Sequence, residues 1–271
     1  MVSADTLASE KMALEARKII LRLAFQAQTS HVASALSVVD IIAAVYQHSR
    51  PHLAKWRCWE SKDIVLLSKG HAAMAMYAVL NLIGIIPRSF LDSFGKNGAT
   101  LAGHVTHGVP GIEFSTGSLG HGLPVGVGIA LRRKRLKREG RVIVIMSDGE
   151  LDEGTTWESC LLANHHALGN LLVFVDRNRL QSMADTEKTL SLDPLDEKFR
   201  AFGWNVRVVE GHSHMEIQQI LREEPTPEPQ VVICENTKGK GVSFMENQVV
   251  WHYRPPSEED YQKAVTELSR A

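Results

Sequence analysis

The 271-residue chain carries 30 basic and 31 acidic side chains, and its formal net charge of −1 gives no electrostatic footing for nucleic acid or an anionic membrane surface. Hydrophobic residues at 44% and charged residues at 23% are ordinary globular values, which excludes a disordered chain. Cys58, Cys160 and Cys234 are scattered without metal-ligand spacing and set no disulfide framework.

No uninterrupted run approaches 18 apolar residues, and the segment from Met1 to Thr6 lacks the charged-then-apolar pattern of a secretion signal. A soluble, reducing, cytoplasmic setting is therefore expected. The length admits one large α/β domain or two small ones.

Thr6 to Gln28 reads as an amphipathic helix with Leu7, Met12, Leu14, Ile19, Ile20 and Leu23 along its apolar stripe. Ser30-His31 interrupts it. A second helix is expected from Ser37 to Gln47, capped by Ser34 or Ser37. His48, His52, Trp56 and Trp59 fall in an irregular connection. Asp63 to Leu67 is a short buried strand, and Ser68-Lys-Gly-His71 opens a helix through Leu82. A glycine before a helix permits close backbone approach, and a helix start favours an anion, although such turns are often purely structural.

Leu101-Ala-Gly-His104 and Ser115-Thr-Gly-Ser-Leu-Gly-His-Gly122 bring glycines and histidines together ahead of a helix reaching Arg138. Exposed N–H groups in such loops cradle phosphates. Neither the dinucleotide fingerprint nor the phosphate-loop lysine signature is present. Arg132 to Arg138 is strongly basic, but it sits at a helix carboxyl end without interleaved aromatics and reads as a solvated face.

Arg141-Val-Ile-Val-Ile-Met-Ser-Asp-Gly-Glu150 and Leu171-Leu-Val-Phe-Val-Asp-Arg-Asn178 are apolar β-branched runs ending in small and acidic or amide residues. Buried parallel strands read this way when they deliver polar groups at their carboxyl ends. Glu153 to Leu168 between them has helical spacing, so a right-handed crossover sets Asp148 and Asn178 side by side. A carboxylate with an amide oxygen suits a hard divalent ion such as Mg²⁺.

Arg179 to Leu192 lacks periodicity and is expected to be a surface excursion. Pro194 to Phe202 is a helix, Trp204 to Val209 a strand, Ser213 to Leu221 a helix and Gln230 to Cys234 a strand. Glu235-Asn-Thr-Lys-Gly-Lys-Gly241 is another glycine-rich strand exit, and Ser257 caps a final helix from Glu258 to Leu268. One α/β domain, a doubly wound and mainly parallel sheet of about five strands flanked by helices, accounts for the chain.

Ser147-Asp-Gly-Glu150 followed by Asp176-Arg-Asn178 resembles the thiamine diphosphate motif. Glu153-Gly154, Trp157-Glu158, Asn170-Leu171 and Gln181 are similar to its transketolase form. Ser68 to Ala72, Ala102-Gly-His104, Thr116 to Gly120, Thr237 to Gly241 and Trp251-His252 resemble the transketolase family in order and spacing. The resemblance covers essentially all 271 residues but only the family's diphosphate-binding, amino-terminal part. It implies transfer of a two-carbon ketol unit from a ketose or ketose phosphate to an aldehyde.

By the same resemblance, Asp148, Asn178 and the Leu180 carbonyl hold Mg²⁺, with Ca²⁺ or Mn²⁺ in substitution. Gly149, His71 and His252 lie at the diphosphate, Glu150 is a further cofactor-binding residue, and Gly117, Ser118 and Leu119 approach the cofactor rings. His31, His71, His104 and His252 line the substrate channel as catalytic groups. Glu153 and Glu158 correspond to interface glutamates of an acidic proton relay. The pyrimidine-binding domain and its activating glutamate are expected on a carboxyl-terminal partner subunit, in a heterotetramer with two copies of each chain. A related alternative keeps the cofactor but changes the chemistry to 2-oxo acid decarboxylation and acyloin formation, and a third is a non-catalytic subunit.

His48, His52, His107, His121, His165, His166, His212 and His214 are assigned structural or surface roles, although His107 and His121 lie beside the substrate-side loop. Two departures stand out. Ser30-His-Val-Ala33 replaces the family's Gly-His-Pro-Gly and is expected to alter the channel wall. Ser147 replaces a glycine and is expected to be tolerated if its backbone angles are ordinary.

Overall fold

The computed structural model describes residues 3–53, 63–182 and 184–270, with side chains in 50–53 not included. Trp56, Cys58, Trp59 and the His52 side chain thus lie outside the described residues.

Five parallel strands form one sheet in the order β1-β2-β3-β5-β4: β1 (Ile64–Leu67), β2 (Val142–Ser147), β3 (Leu171–Arg177), β4 (Asn205–Glu210) and β5 (Gln230–Glu235). Every residue of β2 and β3 is buried, which is why both read as continuous apolar runs. Successive side chains serve opposite faces: Ile143, Ile145 and Phe174 on one, Val144, Met146 and Val175 on the other.

The first face packs against α1 (Ala4–Ala27), α2 (Val32–Leu53), α3 (Ala73–Leu82), α9 (His214–Arg222) and α10 (Glu258–Leu268). The second packs against α5 (Gly122–Arg135), α6 (Gly154–His165) and α8 (Leu195–Ala201). The doubly wound expectation holds.

Among the described residues, two short α-helices were not expected. α4 (Arg88–Ser93) has Leu91 as its buried residue, and α7 (Thr186–Thr189) is one turn within the 179–192 excursion, too short to leave a periodicity. Arg133 also departs from the solvated reading of the basic stretch, being 3% exposed. Lys134 donates to the His166 and Ala167 carbonyls at 2.8 and 2.6 Å, binding α5 to the end of α6.

The start of α2 is the main correction. The helix begins at Val32, five residues before Ser37. Gln28 and His31 both adopt left-handed backbone (φ 45° and 72°), so the chain breaks and restarts within four residues. Ala35 N–H donates to the His31 carbonyl at 3.1 Å, closing the first turn. Ser34 and Ser37 consequently lie inside the helix, buried towards the strand ends. The Val32–Ser49 part of α2 is long and apolar enough to cross a membrane, but 89% of it is buried in the fold, as for a core helix.

Candidate active site

The carboxyl ends of β2 and β3 open on a cleft of about 220 Å³ lined by residues from most of the glycine- and histidine-bearing segments of the sequence pattern. Strand register pairs Ser147 with Asp176, so Asp148 and Asn178 leave adjacent strands side by side. Asp148 is 1% exposed. Its Oδ1 accepts from Gly149 N–H at 2.8 Å and its Oδ2 from Arg179 N–H at 2.7 Å. Burial and the neighbouring Asp176 charge push its pKa up to about 6.

Asn178 is aimed by its neighbours. Its amide group donates to Ser37 Oγ at 3.2 Å and Asp176 Oδ2 at 3.3 Å, which leaves Oδ1 as the acceptor for Leu180 N–H at 3.1 Å. Leu180 in turn presents its carbonyl to Lys238 Nζ at 2.8 Å. Together these supply a carboxylate, an amide oxygen and a backbone carbonyl on one wall.

Lys69 and Lys238, each 1% exposed, were not singled out from the sequence. Lys69 is ion-paired with Asp176, and Lys238 donates to Leu180 and shares a hydrogen bond with His252 Nδ1 at 3.1 Å. Burial and the Lys69 charge lower the Lys238 pKa to about 8. Their only sequence mark is a lysine before glycine at a strand exit, Ser68-Lys-Gly and Thr237-Lys-Gly. Gly70 is required there for a close approach: a Cβ would stand 2.4 Å from the Thr116 carbonyl oxygen.

The four histidines converge. His31 lies 4.9 Å from His252, 5.2 Å from His71 and 6.0 Å from His104, measured between ring centroids. Burial is the main cause that lowers His31 to about 4, His252 to about 3 and His71 well below its ordinary value. The secondary causes are the neighbouring His104 at His31, Lys238 at His252 and Lys69 at His71. These rings are therefore neutral at physiological pH, each able to accept a proton on one nitrogen and donate from the other.

A pH test follows for His31. Its folded pKa lies below its unfolded value of 6.5, so the unfolded chain binds the proton first and folding stability is lost as pH falls from 6.5 towards about 4. His31→Asn, which tolerates the left-handed backbone, removes this loss. Its urea midpoint should gain on the wild type steadily between pH 7 and 4.5, and a constant difference would contradict the shift. Ring ¹⁵N shifts at pH 5.5 should report neutral imidazole at His31.

Of the other expected residues, Gly117, Leu119 and Gly149 line the cleft. Ser118 is exposed and outside the lining. Glu150 is a correction: it is 0% exposed and sits behind the cleft, accepting from Ser68 Oγ, Gly120 N–H and Ser147 N–H. Its carboxylate ties the exit of β1 and the loop ahead of α5 to the end of its own strand, and burial raises its pKa. Glu153 and Glu158 are exposed around α6, away from the lining. His107 and His121 are exposed on nearby loops and do not line the cleft.

The departures resolve differently. Val32 and Ala33 are 0% exposed, so neither alters the wall; the family difference reaches the cleft only through Ser30, whose Oγ shares a 3.0 Å hydrogen bond with His31 Nδ1. Ser147 lies on the cleft with φ outside the left-handed region, and the hydroxymethyl group is accommodated.

A family model described as "Transketolase, thiamine diphosphate binding domain" matches residues 9–269. The chain belongs to this family. An apulose-4-phosphate transketolase subunit of Phocaeicola vulgatus is 38% identical, over 93% of this chain and 91% of that one. The subunit of the same name from Actinobacillus succinogenes is 36% identical, over 98% and 97% respectively. The transketolase structure of Campylobacter jejuni superposes with a TM-score of 0.87 at 24% identity, covering 99% of this chain. That is a likeness of fold, and this chain spans 43% of the Campylobacter one. The transketolase family thus supplies the frame, and thiamine diphosphate is the ligand its description names.

Proposed function

We propose that this chain is the diphosphate-binding subunit of a two-chain, thiamine diphosphate- and Mg²⁺-dependent transketolase acting on a sugar phosphate. The carrying observation is the cleft in which four histidines, three of them held neutral chiefly by burial, face an all-oxygen donor set and two buried lysines. Relatives named as transketolase subunits, and similar to this chain along nearly their whole length, support the division between two chains. Their names also favour a phosphorylated ketose.

The donor set fits a hard cation. Asp148, the Asn178 Oδ1 and the Leu180 carbonyl are all oxygens, and that carbonyl already accepts from an ammonium group. These three would hold Mg²⁺, while Lys238, His252 and the Gly149 backbone would meet diphosphate oxygens. Gly117 and Leu119 would meet the rings through main chain, since a Cβ on Gly117 would stand 3.2 Å from His104. When bound, thiamine diphosphate supplies the carbon nucleophile that cleaves and re-forms a bond beside a ketose carbonyl.

This chain's contribution is positional and acid–base. Neutral His31, His71 and His252, with His104 at the rim, hold sugar hydroxyls and move protons, because one nitrogen accepts where the other donates. Their burial excludes bulk water from the reacting end. The pyrimidine-binding domain, and the glutamate that activates the ring, would come from the partner subunit. The exposed face of α6 bearing Glu158, Leu161 (60% exposed) and Leu162 (45%) is the surface assigned to subunit contact. A cytoplasmic heterotetramer with two copies of each chain is the assembly we favour.

Co-expression with the product of the adjacent gene tests this. Calorimetry with Mg²⁺ and thiamine diphosphate should give tight binding for the pair and weak binding for either chain alone, with ketol transfer confined to the pair. Full activity from this chain alone overturns the shared site. A panel of ketose phosphates and 2-oxo acids as donors separates ketol transfer from decarboxylation, and inactivity of a cofactor-loaded pair with every donor would indicate a non-catalytic subunit.

A further inference from the structure

A second buried cluster lies behind the cleft, centred on Asp40 of α2. Asp40 is 4% exposed and four side-chain contacts converge on its two oxygens. Arg17 of α1 pairs with both, His212 Nδ1 lies 2.7 Å from Oδ2, and His214 Nε2 lies 3.1 Å from Oδ1. Arg17 and the two histidine contacts hold the carboxyl well below the usual carboxylate range despite its burial.

Two arms of this cluster end on one loop. Thr237 N–H donates to His212 Nε2 at 2.8 Å, which makes Nε2 the acceptor and leaves Nδ1–H to donate to Asp40. Arg17 Nε donates to the Lys240 carbonyl at 3.1 Å. Between these two anchors sits Lys238, whose ammonium reaches the Leu180 carbonyl and His252. α2 adds two more ties, from Asn236 Nδ2 to the Ser37 carbonyl at 2.8 Å and from Gly239 N–H to the Ala33 carbonyl at 3.1 Å. Gly211 allows the approach, because a Cβ there would overlap Asn236 Oδ1 at 1.4 Å.

We propose that Asp40, acting through His212 and Arg17, is the positioning centre of the Thr237–Lys240 loop and sets how firmly Lys238 is presented to the cofactor's diphosphate. The diphosphate end of this inference rests on the function proposed above; the clamp on the loop does not. Neither His212 nor Asp40 lines the cleft, so both are positioning residues. The clamp fixes a backbone rather than a side chain. A lysine with four free torsions reaches one point reproducibly only if its Cα is held, and four hydrogen bonds in five residues hold it.

The test compares His212→Ala, His212→Gln and Arg17→Lys with the wild type. Glutamine can donate to Asp40 and accept from Thr237 N–H; Arg17→Lys keeps the charge beside Asp40 and loses the bond to the Lys240 carbonyl. Amide hydrogen exchange in residues 236–242 is measured on the chain without cofactor. Calorimetry on the two-chain complex then uses Mg²⁺ with thiamine diphosphate and, separately, Mg²⁺ with inorganic pyrophosphate.

For His212→Ala, exchange in this segment should rise by about tenfold or more, the scale of one lost hydrogen bond, while exchange in β2 and β3 stays unchanged. Both probes should weaken by a similar factor of about ten, kcat at saturating cofactor should change less than about twofold, and His212→Gln should recover most of the loss. Arg17→Lys should loosen the same segment, which keeps the test decisive if the alanine variant folds poorly. Unchanged exchange in both variants overturns the clamp, and loosened exchange with unchanged pyrophosphate affinity overturns its link to the diphosphate. Should the wild-type pair bind neither probe, the functional reading fails, and the exchange data still decide the clamp.

Discussion

In the two-chain, Mg²⁺-dependent enzyme proposed above, Asp148→Ala should abolish measurable binding of thiamine diphosphate while leaving the chain folded. Asp148 is the carboxylate of the oxygen set, and the remaining amide and carbonyl oxygens carry no formal charge. Loss of an outer hydrogen-bond partner typically costs 10–100-fold in metal affinity, so losing a direct ligand should cost more than about 100-fold. The fold should survive for a physical reason. Arg177, the ion-pair partner of Asp148 at 3.5 Å, keeps closer contacts to Glu187 at 2.6 Å and Asp193 at 3.1 Å. A carboxylate whose pKa has been pushed up to about 6 is, in its ionised form, a net cost to folding, so its removal takes no electrostatic stability away. Calorimetry and thermal unfolding of the same preparation check both halves. Binding within threefold of the wild type would remove Asp148 from the metal assignment.

Lys69→Met should do the opposite and strike stability. Asp176 is 0% exposed, and Lys69, 1% exposed, is its ion-pair partner. Removing one member of a buried pair leaves an uncompensated charge and costs about 3–5 kcal/mol. Urea denaturation at pH 7.5 measures this directly. Asp176→Leu in the same chain removes the orphaned carboxylate and should recover most of the stability. It should not recover cofactor binding, because Asp176 also accepts from Ser37 Oγ at 2.7 Å and from the Asn178 amide at 3.3 Å. Without those bonds Asn178 loses the orientation that aims its Oδ1. A Lys69→Met chain as stable as the wild type would show that the pair carries no structural weight.

These two residues also mark how far the sequence could be read. β2 and β3 were legible because strands buried on both faces must be apolar throughout, and the break to Ser147-Asp148 or Asp176-Arg177-Asn178 then locates the strand end within a residue. Histidines in glycine-rich exits were legible as a set. Lys69 and Lys238 were not, since a lysine beside a glycine is ordinarily a solvated loop residue, and its burial depends on Asp176 or Leu180 arriving from distant parts of the chain. Glu150 misled for the converse reason. Its place in the motif suggested the cofactor, while donors from Ser68, Gly120 and the end of its own strand turn it inward. The start of α2 was hidden by His31, a non-glycine residue in left-handed backbone that local propensity does not foresee. His212 and His214 carried no periodic or motif signal at all, and their shared partner Asp40 lies more than 170 residues away.

The position of β5 between β3 and β4 governs how the molecule is made. On a ribosome, β1, β2 and β3 can pair as soon as each emerges, but the open edge of β3 stays uncovered until Gln230 and the residues after it are synthesised. β4 cannot cover it, because its partner is β5. During that interval an apolar strand edge is exposed, the kind of surface on which chains associate wrongly. The same late segment brings Lys238 and, shortly afterwards, His252. The cleft is therefore completed only after β5 has emerged, and a chain interrupted before that point would carry Asp148 and Asn178 without the groups that face them.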